Sequence, residues 1–157
     1  MMAGWLAALP TRRKLLRLEI GERPYVTEIE RIREIVFYRA PIPVPHAPAF
    51  LDGLMDLRGT ALPLIDLRER FGVPADARTR PMHILVVRIG DRLLGLVVDR
   101  VSDVLDVDAE SFQARESDSD GGTMCRGVCR VMDALLLVVD LDAVLGPDEY
   151  AMLSEVC

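Results

Sequence analysis

A chain of 157 residues that is 50% apolar has enough oily surface for one well-packed domain, or for two very small ones sharing a core. A formal charge of -6, with no long lysine or arginine run, argues against a nucleic-acid binder that relies on a basic stripe. Aromatics make up only 5%, so the core has to come from Val, Leu, Ile and Ala, and three cysteines without dense spacing point to a reducing compartment.

Residues 1–10 are apolar, but Arg12, Arg13 and Lys14 follow the run instead of leading it. That is the wrong order for a secretory signal, and the run is too short to span a bilayer. A short helix or a frayed terminus is expected there. Residues 15–20 alternate loosely and end at Gly21-Glu22-Arg23-Pro24, which reads as a strand and a turn. In residues 25–38, Ile29, Ile32, Ile35 and Val36 fall at helical spacing with charges between them. Periodicity predicts a helix, although β-branched residues are many and a clean cap is missing; the isoleucines are core by default.

Residues 40–48 hold prolines at 41, 43, 45 and 48, so neither a helix nor a central strand fits. An extended loop is expected, then one or two helical turns over 49–55. Residues 61–65 read as a strand. Asp66 opens a short helix to Phe71 that Gly72 closes. A polar connection over 73–81 leads to a continuous apolar strand over 82–89, a Gly90-Asp91 turn and a returning strand over 93–98. Val101, Val104, Leu105 and Val107 continue the apolar pattern. Residues 115–122 are the most polar stretch and read as a mobile loop. A last hairpin turns at Asp133, residues 140–145 repeat the short capped helix closed by Gly146, and a final helix starts at Pro147.

One internal echo stands out. Leu64-Ile65-Asp66-Leu67 leads to Phe71-Gly72, and Val138-Val139-Asp140-Leu141 leads to Leu145-Gly146. The same device, used twice, predicts two similar β units, and many short strands with hairpin turns favour small barrels over a sandwich.

Catalytic signatures are absent. His46 lies in the proline loop and His83 inside an apolar strand, and neither sits near a nucleophile elbow or a phosphate loop. Cys125 and Cys129 are four apart but lack the further ligands that zinc needs. The acids at 99, 103, 106 and 108 lack the central glycine of a calcium loop. No catalytic residue, metal or cofactor is therefore expected. Arg58, between Leu57 and Gly59, has two readings: a structural arginine paired with Asp56 or Asp66, or a guanidinium facing a partner.

The chain resembles the CheW family, the adaptors that couple chemoreceptors to the histidine kinase CheA. The resemblance rests on Leu18-Glu19-Ile20-Gly21, Ile32-Arg33-Glu34-Ile35, Pro45-His46-Ala47-Pro48-Ala49-Phe50, Gly53, Leu57-Arg58-Gly59 and Leu62 to Arg68, then on Gly95 to Asp99, Gly127-Val128 and Leu137 to Leu145. It runs from about residue 15 to the end, leaving 1–14 as an N-terminal extension and 15–157 as one domain. It implies a mostly β fold with short helices: two packed five-stranded SH3-like β-barrel subdomains. It also implies strands with a break, not a helix, over residues 25–38.

The resemblance implies a non-catalytic, cytoplasmic scaffold at receptor arrays on the inner membrane face. Its partners would be a CheA-type histidine kinase and the cytoplasmic tips of chemoreceptors, with no nucleic acid and no direct membrane insertion. A groove between the barrels would receive a receptor helix hairpin. Ile32, Glu34, Ile35, Gly53, Asp56, Leu57, Arg58 and Gly59 match the partner-binding positions, with Gly53 letting a helix come close. Where the family usually has Asn before Leu-Arg-Gly, this chain has Asp56, which would be able to pair with Arg58. Similar domains also serve pilus motility or gene expression without CheA.

Overall fold

The computed structural model describes residues 12–114 and 124–156. The expectations for residues 1–11 and for the polar stretch at 115–122 lie outside the described residues. The elements run β1 (Arg12–Ile20), β2 (Arg23–Glu28), β3 (Ile32–Phe37), β4 (Leu51–Leu57), β5 (Thr60–Asp66), α1 (Leu67–Arg70), β6 (His83–Ile89), β7 (Arg92–Val98), β8 (Arg100–Asp108), β9 (Phe112–Ala114), β10 (Cys125–Val131), β11 (Ala134–Val139) and α2 (Pro147–Val156). Single 3-10 turns join several of them, including Ile29–Arg31 between β2 and β3. The first strand thus starts at Arg12, three residues before the expected domain boundary.

Two sheets form, in the orders β8-β1-β2-β11-β10-β9 and β3-β6-β7-β5-β4. They are the two SH3-like subdomains, though neither sheet closes on itself and the first has six strands, not five. The sixth is β9, three residues long, which pairs with β10 at the sheet's edge. Without it the two orders superpose element for element. Each has one parallel pair, β11 with β2 and β5 with β7. In each, the strand of that pair that leads to the echoed aspartate ends in a cap. Asp66 Oδ1 accepts from the Arg68 N–H at 2.9 Å and Asp140 Oδ1 from the Asp142 N–H at 3.0 Å.

The two units exchange strands. The β1–β2 hairpin continues into β3, which pairs with β6 in the other sheet; the β6–β7 hairpin continues into β8, which pairs back with β1. Alternation along the strands then serves three cores, because successive side chains point to opposite faces. Leu15, Val26, Cys129, Leu136 and Val138 fill the first barrel. Met55, Leu57, Leu62, Leu64, Ile84, Val86 and Val97 fill the second. Leu16, Leu18, Ile20, Leu85, Val87, Leu94, Leu96 and Val98 face a central core between the sheets, which Val144, Leu145 and Leu153 help to close. Strands buried on both faces read as unbroken apolar runs, as at 84–87.

Two helix expectations fail. Over 25–38 the isoleucine spacing comes from a 3-10 turn set between two strands, not from a continuous helix. Residues 51–57 are a strand whose alternate side chains are buried, not helical turns. Its outer edge is covered by the proline segment: Ile42 N–H donates to Leu54 O at 2.8 Å and Leu54 N–H returns to Ile42 O at 2.9 Å.

Candidate functional site

The Leu57-Arg58-Gly59 motif is a two-residue hairpin turn. Leu57 pairs with Thr60, and both Arg58 (φ 50°) and Gly59 (φ 89°) are left-handed. Such turns match the strand twist and ordinarily take Asn or Gly at the first position. Asp56 does the local work: its Oδ1 accepts from the Gly59 N–H at 2.8 Å. The carboxylate therefore replaces an asparagine carbonyl in the turn and does not pair with Arg58, and neither does Asp66.

Arg58 instead reaches Glu34 on β3. Its Nη1 donates to Oε2 at 3.2 Å and its Nη2 to Oε1, a two-pronged pair. The guanidinium holds the Glu34 carboxyl below its ordinary range. The pair joins opposite ends of one sheet, so Arg58 does not tie the two barrels together. It stands over a hollow of about 340 Å³ with Leu57, Thr60, Val86 and Leu93 beneath it. With 70% of its side chain exposed, the arginine remains open to a partner.

Ile32 and Ile35 lie on the other side of β3. Register puts Ile32 opposite Val87 and Ile35 opposite Leu85, both in the central core, whereas Glu34 sits opposite Val86 of the second barrel. Opposed residues share a face. Ile32 packs against the central core, and Ile35 is 40% exposed at its rim. Phe37, opposite His83 on the same face, is 76% exposed and stacks on the imidazole at 5.6 Å. The equivalent edge strand of the other sheet, β8, brings Val104 opposite Leu16 and Val101 opposite Leu18. Val104 is exposed and Val101 partly buried against the central core. The Val101 N–H donates to His83 Nδ1 at 3.0 Å, so the two free edges meet at His83.

The expected site therefore divides. Ile32 and Ile35 belong to an apolar margin of the central core; Glu34, Leu57 and Arg58 belong to the mouth of the second barrel, with Asp56 and Gly59 shaping its turn. Gly53 belongs to neither. A Cβ there would stand 2.6 Å from Ile42 O and 2.8 Å from Pro41 Cβ, so what comes close to Gly53 is the chain's own proline segment. Sequence reasoning missed Phe37 and gave Val104 no role. A bulky aromatic beyond the isoleucines, in a chain with four phenylalanines, was the available signal. Cys125 and Cys129 do not join any group of three or more potential metal ligands among the described residues.

A family model described as the CheW-like domain matches residues 14–149. The chain is similar to the chemotaxis protein CheW of Rhizobium meliloti, 34% identical over 140 residues, which are 87% of this chain and 90% of that protein. It is 32% identical to the chemotaxis protein CheW of Klebsiella aerogenes over 158 residues, covering 96% and 92% of the two chains. The crystal structure of the scaffolding protein TtCheW from Thermoanaerobacter tengcongensis superposes with a TM-score of 0.75 at 26% identity, over 84% of this chain and 91% of that one.

Proposed function

The chain belongs to the CheW-like domain family, and on that premise we propose that it is a non-catalytic scaffold coupling chemoreceptor tips to a CheA-type histidine kinase. The observation that carries this reading is the apolar margin where two exchanged edge strands meet. Ile35 and Phe37 are large, apolar and exposed on β3, and Val104 is exposed on β8, whose start reaches Phe37 through His83. An exposed apolar strand face marks a protein contact, and an amphipathic helix is the partner that fits an apolar strip. Ile32 and Ile35 lie in the receptor contact, and the Glu34–Arg58 pair with Leu57 supplies a charged anchor beside it. Asp56, Gly59 and Gly53 act by holding the backbone that presents them. No helix among the described residues is long and apolar enough to cross a membrane. Partner binding then places the protein in the cytoplasm, at receptor arrays on the inner membrane face.

The test is co-sedimentation of the purified protein with receptor signalling fragments, with and without a CheA-type kinase. Wild type is expected in both complexes. Phe37→Asp and Ile35→Asp are expected to leave the receptor complex while keeping the wild-type unfolding midpoint. Binding to receptors with indifference to CheA would favour instead a regulator of this fold in a pilus or gene-expression pathway. Failure to bind either partner would end the proposal.

A further inference from the structure

We propose that His83 is a positioning residue for the apolar margin, holding its two edges in register only as the neutral imidazole. The proposal rests on the reading of that margin as the docking face. The geometry is specific. Nδ1 accepts a hydrogen bond from the Val101 N–H at 3.0 Å, so this nitrogen must carry a lone pair and the proton of the neutral ring sits on Nε2. On the other side the ring stacks against Phe37 at 5.6 Å, with 24° between the planes. One side chain thus touches β3 and β8, the strands that the two subdomains exchange. Protonation at Nδ1 replaces an acceptor with a second donor facing Val101 N–H. The contact becomes repulsive, and the start of β8 has to move relative to Phe37.

The surroundings favour the neutral form. Burial, with the nearby Arg100 guanidinium adding to it, sets the imidazole below its ordinary range. Arg100 is itself paired with Glu19 on β1 at 3.4 Å. Asp99, the next residue, turns its carboxylate away toward Arg68 at 3.1 Å and Thr79 at 3.3 Å. No carboxylate among the described residues bonds the ring, so nothing there compensates an added proton. A helix laid across Phe37 would bury the ring further and deepen this preference.

Two measurements test the inference. In the free protein, the Val101 amide resonance and the His83 ring resonances are followed from pH 8 to pH 5. They are expected to move with one shared midpoint; a Val101 amide that stays still while His83 titrates would overturn the proposal. Binding of a receptor signalling fragment is then measured over the same range for wild type and His83→Gln. Glutamine keeps an acceptor for Val101 without a titrating proton. Wild-type affinity is expected to fall about tenfold toward pH 5, the worth of roughly one hydrogen bond, whereas the variant stays flat. A variant that falls toward pH 5 as the wild type does, or a wild type that stays flat, would also overturn it. A fragment that binds neither protein at any pH removes the docking reading, while the amide titration still decides whether His83 holds the two edges.

Discussion

Replacing Gly53 by alanine separates two accounts of a residue in the expected partner surface. The new Cβ would lie 2.6 Å from a backbone oxygen and 2.8 Å from a proline ring carbon, and neither neighbour is a flexible side-chain end. The backbone there has φ 149°, a conformation that L residues seldom adopt. Either the proline segment lifts and loses its two hydrogen bonds to Leu54, at about 0.5–1.5 kcal/mol each, or the strain stays. Strained backbone of this kind costs about 1–3 kcal/mol. Alanine also stiffens the unfolded chain, which offsets about 0.4–1 kcal/mol. At the middle of these ranges the net expectation is a loss of about 1–2 kcal/mol, or a drop of roughly 2–8 °C in Tm for a chain of this size. Urea titration and thermal melts read this directly. A variant within about 0.5 kcal/mol of wild type that nevertheless loses receptor binding would refute the reasoning and restore Gly53 to the partner surface.

Reversing the exposed pair one residue at a time, Arg58→Glu or Glu34→Arg, is expected to weaken partner sedimentation, and the double swap to recover part of it; equal loss in all three would mean that Arg58 touches the partner through its own charge. Asp56→Asn keeps the acceptor for Gly59 and should leave stability unchanged, whereas Asp56→Ala should lose about 1 kcal/mol in urea titration, as a lost side-chain cap does. Arg70 holds Glu149 with contacts of 2.9 and 2.7 Å and Arg31 holds Asp142 likewise at 2.9 and 2.7 Å, and these bonds keep both carboxyls below their ordinary values. Their stabilisation is complete above the unfolded values of 4.5 and 3.8 and disappears as pH falls further, so α2 should loosen in acid, measurable by hydrogen exchange. Burial pushes the Cys129 thiol up to about 11, so a thiol reagent at pH 8 should modify it only on unfolding; modification of the folded protein would contradict its packing.

Much of the fold was legible because its signals are local. The proline segment, the hairpin at Gly90-Asp91 and both aspartate caps follow from residue chemistry within a few positions. The repeat was legible for the same reason: Asp66 and Asp140 end equivalent strands. Residues 25–38 misled because a 3-10 turn between two strands reproduces helical spacing, and periodicity cannot tell a broken strand from a continuous helix. The resemblance could, because it carries tertiary information. Glu34 as the partner of Arg58 was out of reach of local reasoning. The two are 24 residues apart, and the nearer acids, Asp56 and Asp66, have backbone N–H groups to bind. Phe37 was missed because exposure of an aromatic is decided by what fails to cover it.

Strand exchange gives the proposed docking face a property that neither barrel alone would have. β3 is covalently part of the first hairpin unit but lies in the second sheet, and β8 has the opposite history. A helix docked on Phe37 and the start of β8 would therefore pull on both sheets and on both connections between them. The connections are themselves fastened: Arg31, in the turn leading to β3, bonds Asp142 beyond β11 and also the carbonyl of Arg88 on β6 at 3.1 Å. Displacement at the margin cannot be absorbed by one barrel sliding over the other without breaking that clamp or opening the central core. The half-exposed Arg31–Asp142 pair contributes little by itself, so this resistance rests mainly on the central core and on the two chain connections.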